Sequence, residues 1–100
     1  MGMVFEFPCK PGDSVLAYLE DAPTRGRSYL DLSECVIERI TLERGNKEPL
    51  FTAICREKAL CDNFWLSDFG KRVFTLEQYY ELLDKAAAKR RRKELKEMLD

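Results

Sequence analysis

The side chains of this chain that could support chemistry do not form a catalytic motif. The sequence contains no histidine, so the usual general base near neutral pH is missing. Ser14 and Ser67 lie in no nucleophile motif, and the glycines form no phosphate-binding fingerprint. Asp62 and Asp68 flank the single tryptophan, and we interpret them as acceptors in turns. We therefore expect a protein that is not an enzyme and needs no cofactor.

Four cysteines, Cys9, Cys35, Cys55 and Cys61, are the other reactive groups. The N-terminal residues lack the features of a secretory signal, so a cytoplasmic protein with reduced thiols is expected. No pair has C-x-x-C spacing, which disfavours a zinc site but leaves it as the alternative. Cys35 and Cys55 lie in strand-like runs, where buried thiols are common. We predict free, mostly buried cysteines and no metal site.

Positive charge is concentrated at the C-terminal end. Residues 1–84 contain 10 Lys and Arg against 15 Asp and Glu, a net charge of −5, whereas residues 85–100 contain 7 against 3, a net charge of +4. The candidate partner- or nucleic-acid-binding residues are these cations: Lys85, Lys89, Arg90, Arg91, Arg92, Lys93 and Lys96. A small apolar group, Leu95, Met98 and Leu99, follows them and is the candidate for helix self-association.

Three interpretations of this basic end remain open. It is a solvated helix end whose cations complement the helix dipole, or it contacts the phosphate backbone of nucleic acid. Alternatively, it docks on a protein, including a second copy of the chain, through its apolar group. The net charge of −5 over the rest of the chain argues against wrapping nucleic acid around the whole domain.

A long helix must position the basic residues. Thr75 and Gln78 have the spacing of a capping box, which predicts a helix from about Leu76. Its predicted apolar stripe is Leu76, Tyr79, Tyr80, Leu83, Ala86 and Ala87. Arg90 and Arg91 then fall on either side of that stripe, where burial is costly. The sequence therefore predicts one globular domain over residues 1–88 and a projecting basic helix end over residues 89–100.

Short apolar runs before the helix predict strands. They cover residues 3–7, 14–20, 34–43, 50–56, 64–66 and 73–74, with a connection over residues 57–63. Residues 14–20 are apolar on both faces, which indicates a central strand. Val36 and Ile40 are assigned to one face, and Trp65 to the core against the helix tyrosines. We predict an α+β, mainly β fold: a small, partly open SH3-like barrel or curled antiparallel sheet closed by one long C-terminal helix.

Two short blocks carry a family resemblance. Residues 69–75, FGKRVFT, resemble the "FGKTVFLT" ending of small accessory proteins of phages and mobile elements of Firmicutes, and residues 11–15, PGDSV, resemble their "VGDTVY" strand. Arg72 stands where threonine is usual, and one residue is missing between Phe74 and Thr75. The resemblance implies a mobile-element origin and provides no catalytic residue.

Together these features lead to an expected role in binding. The leading hypothesis is a non-enzymatic phage or mobile-element protein that engages a host protein and inhibits a nucleic-acid-handling or defence complex, as anti-CRISPR proteins do. The alternative is a nucleic-acid-binding accessory protein that acts through residues 85–96. The sequence has no apolar run long enough to span a bilayer, so no membrane partner is expected.

Overall fold

A computed structural model describes residues 6–99 of the chain, apart from the side chains of Glu97 and Leu99. The strand predicted over residues 3–7 therefore falls largely outside the described residues. The elements are β1 (Ser14–Ala17), β2 (Ser33–Thr41), β3 (Leu50–Cys55), β4 (Leu60–Trp65), β5 (Val73–Thr75) and α1 (Leu76–Leu99), with short 3-10 turns at Tyr29–Asp31 and Leu66–Asp68.

The strands form one curled antiparallel sheet, a half-barrel, in the order β4-β3-β2-β1-β5. The predicted fold class is therefore confirmed. β1 lies between β2 and β5, as its two apolar faces predicted. The connection predicted over residues 57–63 is wrong in its second half, because β4 begins at Leu60 and pairs with β3 along its whole length. The turn that precedes it ends at Ala59, which has a φ of 53°.

The core lies on the concave face of the sheet. Phe51, Phe64 and Val15 are fully buried, and Phe69 packs edge-on against Phe51 with ring centroids 4.9 Å apart. The register between β2 and β3 shifts between Ile37 and Arg39, so that a bulge separates the two halves of β2. The bulge places Ile37 opposite Ala53 and Ile40 opposite Phe51. Ile40 is thus on the concave face and Val36 is not, which corrects the prediction that they share a face.

The segment between β4 and β5 connects the two edge strands of the curled sheet. Gly70 has a φ of 89°, a conformation that favours glycine, and its N–H donates to the carbonyl of Val73 at 2.7 Å. The carbonyl of Arg72 accepts from the N–H of Tyr18 at 2.9 Å. This segment therefore joins the two edges of the sheet and places the start of α1 beside β1.

Two carboxylates occupy the free edge of β4. The N–H of Asn63 donates to Asp62 Oδ1, and the N–H of Trp65 donates to Asp68 Oδ2, both at 2.8 Å. The two terminal guanidinium nitrogens of Arg72 lie 3.8 Å from Asp62 Oδ2 and Asp68 Oδ2, one nitrogen to each. The central carbon of the guanidinium lies 5.1 Å from the centre of the Phe64 ring. Both aspartates are therefore backbone acceptors.

Trp65 is an outward-facing residue of this same edge strand. Phe64 is buried at 0% exposure, and the alternation of the strand leaves Trp65 with 39% of its surface exposed. The prediction that Trp65 packs in the core is therefore wrong. The sequence pattern of two adjacent aromatic residues did not indicate which of them faces the core.

Candidate functional site

The helix that carries the basic residues begins at the predicted capping box. The N–H of Gln78 donates to Thr75 Oγ1 at 3.2 Å, and the N–H of Thr75 donates to Gln78 Oε1 at 2.9 Å. Thr75 is also the last residue of β5, so the helix leaves the sheet without a loop. Because both bonds fix the first turn, the direction of α1 is set by the sheet.

The first turns of α1 pack mainly on β5 and β1. Phe74 is 8% exposed and lies on the opposite face of its strand from Val73, which belongs to the core cluster. The helix therefore covers the convex face of these two strands. Its half-buried apolar residues are Tyr79, Leu82, Leu83 and Ala86.

This packing face differs in part from the predicted apolar stripe. Tyr79, Leu83 and Ala86 are on it, but Leu76 and Tyr80 are 42% and 60% exposed and Ala87 is exposed. The packing face is rotated relative to the predicted stripe, because Leu82 takes part in it whereas Tyr80 and Ala87, on the other side of the stripe, do not.

Beyond Ala86 the same face of the helix becomes cationic. Stepping about 100° per residue, the positions that follow Ala86 on this face are Arg90, Lys93 and Glu97, with Lys89, Lys96 and Arg92 to one side of them. A shallow groove along the helix is lined by these five cations and Ala86, and by no residue of the sheet. Lys85 falls within the same arc of about 160°. Six of the seven predicted cations therefore lie together, and we call them the cationic face.

The seventh cation, Arg91, lies on the opposite side of the helix. It is exposed and does not line the groove. The prediction that Arg90 and Arg91 fall on either side of the apolar stripe does not hold for the observed packing face, because Arg90 continues that face beyond Ala86 and Arg91 does not. Leu95 and Met98 share the side of Arg91 and are 58% and 81% exposed. The third apolar candidate, Leu99, has a side chain outside the described part of the structure.

Like charges recur at i,i+4 spacing along the cationic face, next to opposite-charge pairs at Glu81–Lys85 and Arg90–Glu94. None of the described ion pairs involves one of its six cations. Lys85 and Lys89, Lys89 and Lys93, and Arg92 and Lys96 are like charges at i,i+4 spacing, which destabilises a helix. All described side chains from Ala87 onward are exposed. A polyanion that binds this face would reduce the repulsion between these like charges. The predicted division of the chain into a domain over residues 1–88 and a projecting helix end over residues 89–100 stays a prediction.

Three of the four cysteines belong to the core. All four are free thiols; Cys9, Cys35 and Cys55 are buried, and Cys61 is exposed. Burial, assisted by the neighbouring Cys55, raises the pKa of the Cys35 thiol to about 12. Burial and the Asp13 carboxylate raise the pKa of Cys9 to about 11. Within residues 6–99, no group of three or more acidic or cysteine side chains is arranged to hold a metal ion.

Comparisons with protein-family models, with characterised proteins and with solved structures found no match. The resemblance to phage accessory proteins therefore stays a prediction. Among the described residues, no helix has the length and apolar content needed to cross a membrane.

Proposed function

We propose that this protein is a non-enzymatic nucleic-acid-binding accessory protein that contacts the phosphate backbone through the cationic face of α1. The observation that carries the proposal is the placement of six cations on one exposed side of a continuous helix. From Lys85 to Lys96 this face spans about 16 Å along the helix axis. A nucleic-acid duplex presents about one phosphate charge per 1.7 Å, so the two charge densities are comparable.

The composition of the cationic face favours nucleic acid over a protein ligand. Protein interfaces depend on a few aromatic or aliphatic anchors that become fully buried. The groove contains Ala86 and five cations, and no larger apolar side chain lines it. Phosphate binding needs no such anchor, because the release of condensed counterions provides most of the free energy.

Salt dependence provides the direct test. If about six phosphates are neutralised, the logarithm of the affinity should fall with a slope of about −5 against the logarithm of the salt concentration. The affinity for a fluorescent duplex should then drop about a thousandfold between 50 and 200 mM salt. Fluorescence anisotropy measures both quantities. A chain that does not bind the duplex even at low salt would refute the proposal.

The helix offers a matched pair of substitutions for this test. Lys93→Gln and Arg91→Gln each remove one exposed cation from the same stretch of helix, but from opposite sides. We expect Lys93→Gln to reduce the salt slope by about 1, and Arg91→Gln to change it little. Equal effects of the two substitutions would mean that net charge alone, and no particular face, attracts the nucleic acid.

A second candidate function, docking on a host protein, is favoured by the other side of the helix. Leu95 and Met98 are exposed there together, and each fully buried side chain would contribute roughly 1.5–3 kcal/mol. A host protein or a second copy of the chain would cover them. Affinity purification from host lysate should recover a partner with the wild type and lose it with L95Q/M98Q. Sedimentation velocity of the wild type and of L95Q/M98Q tests the homodimer. If the two proteins recover the same partners and sediment alike, this candidate function is excluded.

A further inference from the structure

We infer that Cys35 and Cys55 form a disulfide bond that joins β2 to β3 when the chain folds in the presence of a low-molecular-weight disulfide oxidant. The structure holds both residues as free thiols. The inference goes beyond the proposed function and is independent of it, because both cysteines lie in the sheet and neither belongs to α1.

The register of the sheet places these two cysteines opposite each other. Val36 pairs with Ile54 in the antiparallel ladder between β2 and β3, so extending this pairing by one residue brings Cys35 opposite Cys55. Both side chains belong to the core cluster and therefore lie on the same, concave face of the sheet. The two thiols also contact each other, since a hydrogen bond between them is one of the causes that raise the pKa of Cys35.

The backbone hydrogen bonds show how close the two strands come at this position. The N–H of Ile37 donates to the carbonyl of Asp13 at 3.0 Å, and the N–H of Gly12 donates to the carbonyl of Ile37 at 2.8 Å. Because the direction of the backbone groups alternates along a strand, Cys35 also directs its N–H and C=O towards β1 and away from β3. Cys35 and Cys55 are therefore a non-hydrogen-bonded pair, and the Cα atoms of such pairs lie about 4.5 Å apart. This separation falls within the range of about 4.4–6.8 Å that a disulfide spans.

The oxidation is a thiol–disulfide exchange in two steps. With oxidised glutathione as the oxidant, the thiolate of one cysteine attacks a glutathione sulfur, which forms a mixed disulfide and releases one glutathione thiolate. The thiolate of the other cysteine then attacks the protein sulfur of the mixed disulfide and releases the second glutathione thiolate. Two protein thiols are oxidised, one glutathione disulfide is reduced to two thiols, and the two protons lost by the cysteines pass to the glutathione thiolates.

The folded core determines when this exchange takes place. Cys35 and Cys55 are 1% and 2% exposed, and burial raises the pKa of Cys35 to about 12, so the folded chain offers very little thiolate to an oxidant. In the unfolded chain both thiols are accessible. The bridge therefore forms while the chain folds, and the closed core then protects it from reduction. The redox conditions during folding thus select between two long-lived forms of the protein.

The test compares two double variants that each keep two cysteines. C9A/C61A keeps Cys35 and Cys55, whereas C9A/C35A keeps Cys55 and Cys61, of which the first is buried and the second is exposed on the neighbouring strand. Each is unfolded in urea and refolded in a mixture of reduced and oxidised glutathione, and alkylation with mass spectrometry counts the remaining thiols. We expect the bridge in most C9A/C61A molecules and at least about tenfold less of it in C9A/C35A. Bridged C9A/C61A should unfold at a urea midpoint about 1–2 M above its reduced form, because the bridge constrains the unfolded chain.

Each outcome of this experiment decides one part of the inference. Equal bridging in the two variants, or a bridged C9A/C61A with a lower urea midpoint than its reduced form, would overturn the pairing of Cys35 with Cys55. Oxidised glutathione added to folded, reduced C9A/C61A should leave its thiols free for the time in which refolding closes the bridge, and equally fast oxidation would overturn the protection by the core. Should either variant fail to fold, peptide mapping of the wild-type chain after the same refolding gives the answer: a linkage of Cys35 to Cys55 as the main product supports the inference, and any other result overturns it.

Discussion

The two buried thiols with raised pKa values should make the fold sensitive to alkaline pH. The pKa of Cys35 is raised from an ordinary value of 9.0 to about 12, and that of Cys9 to about 11, with burial as the main cause in both. In the unfolded chain these thiols ionise near pH 9, whereas in the folded chain they stay protonated. Their contribution to stability is therefore complete below pH 9 and is lost as the pH rises towards 11–12.

The magnitude follows from proton linkage. At pH 10, which is one unit above the pKa of a thiol in the unfolded chain, ionisation of each thiol stabilises the unfolded chain by about 1.4 kcal/mol. The pair should therefore lower the free energy of unfolding by about 3 kcal/mol relative to pH 7. Urea unfolding followed by circular dichroism at intervals from pH 7 to pH 10 measures this loss. The pH series stops at pH 10 to limit the contribution of Lys58 to the measured loss. The ordinary pKa of this lysine is 10.5, and its hydrogen bond with Asp21 raises that pKa in the folded chain.

Single substitutions identify the groups responsible. Cys35→Ala should cut the alkaline loss to about half, because only the Cys9 contribution remains. Cys61→Ala is the matched control, since Cys61 is the exposed cysteine and should leave the loss unchanged. A wild-type free energy of unfolding that stays constant from pH 7 to pH 10 would refute the assignment of these two thiols to a protected, protonated core.

Two further predictions concern the helix. Thr75→Ala removes the hydroxyl that accepts from Gln78, and urea unfolding should register a loss of about 0.5–2 kcal/mol, whereas Thr24→Ala in an exposed loop should be nearly neutral. Truncation after Ala88 removes residues whose described side chains are all exposed, so the unfolding midpoint should stay close to that of the full chain while duplex binding is lost. Unfolding of the truncated chain would mean that the distal helix is part of the core, and retained duplex binding would place the site elsewhere.

The parts of the fold that the sequence predicted are those governed by local chemistry. The capping box at Thr75 and Gln78 requires only residues three positions apart, and the central place of β1 follows from apolar residues on both of its faces. These signals are contained within one element. They can therefore be recognised without knowing how the other elements pair.

The parts that could not be predicted depend on pairing between distant residues. Asp62 and Asn63 have little strand propensity of their own, yet they belong to β4 because β3 offers a ladder along its full length. The hydrogen bond between Thr52 and Asn63, at 2.7 Å, is one result of that pairing. Likewise, the bulge in β2 after Ile37 is detectable only once its partner strand is known.

The sequence identified the candidate cations, but not how the helix that carries them lies against the sheet. Clustering of Lys and Arg in the sequence identified the seven candidate cations, and the side of the helix that six of them share follows from helical spacing alone. The side of α1 that packs on the sheet is known only from the burial of Tyr79, Leu82, Leu83 and Ala86 in the structure.

The aspartates on the edge of β4 have a consequence for how this protein meets other chains. An exposed edge strand normally invites a neighbouring strand to add to the sheet, which is a route to aggregation and also a mode of peptide recognition. Here Asp62 and Asp68 already accept from the N–H groups of Asn63 and Trp65, and their carboxylates would repel the carbonyl oxygens of an incoming strand. This edge is therefore closed to β-addition, so that a partner approaching it must bind to side chains such as Trp65 instead of extending the sheet.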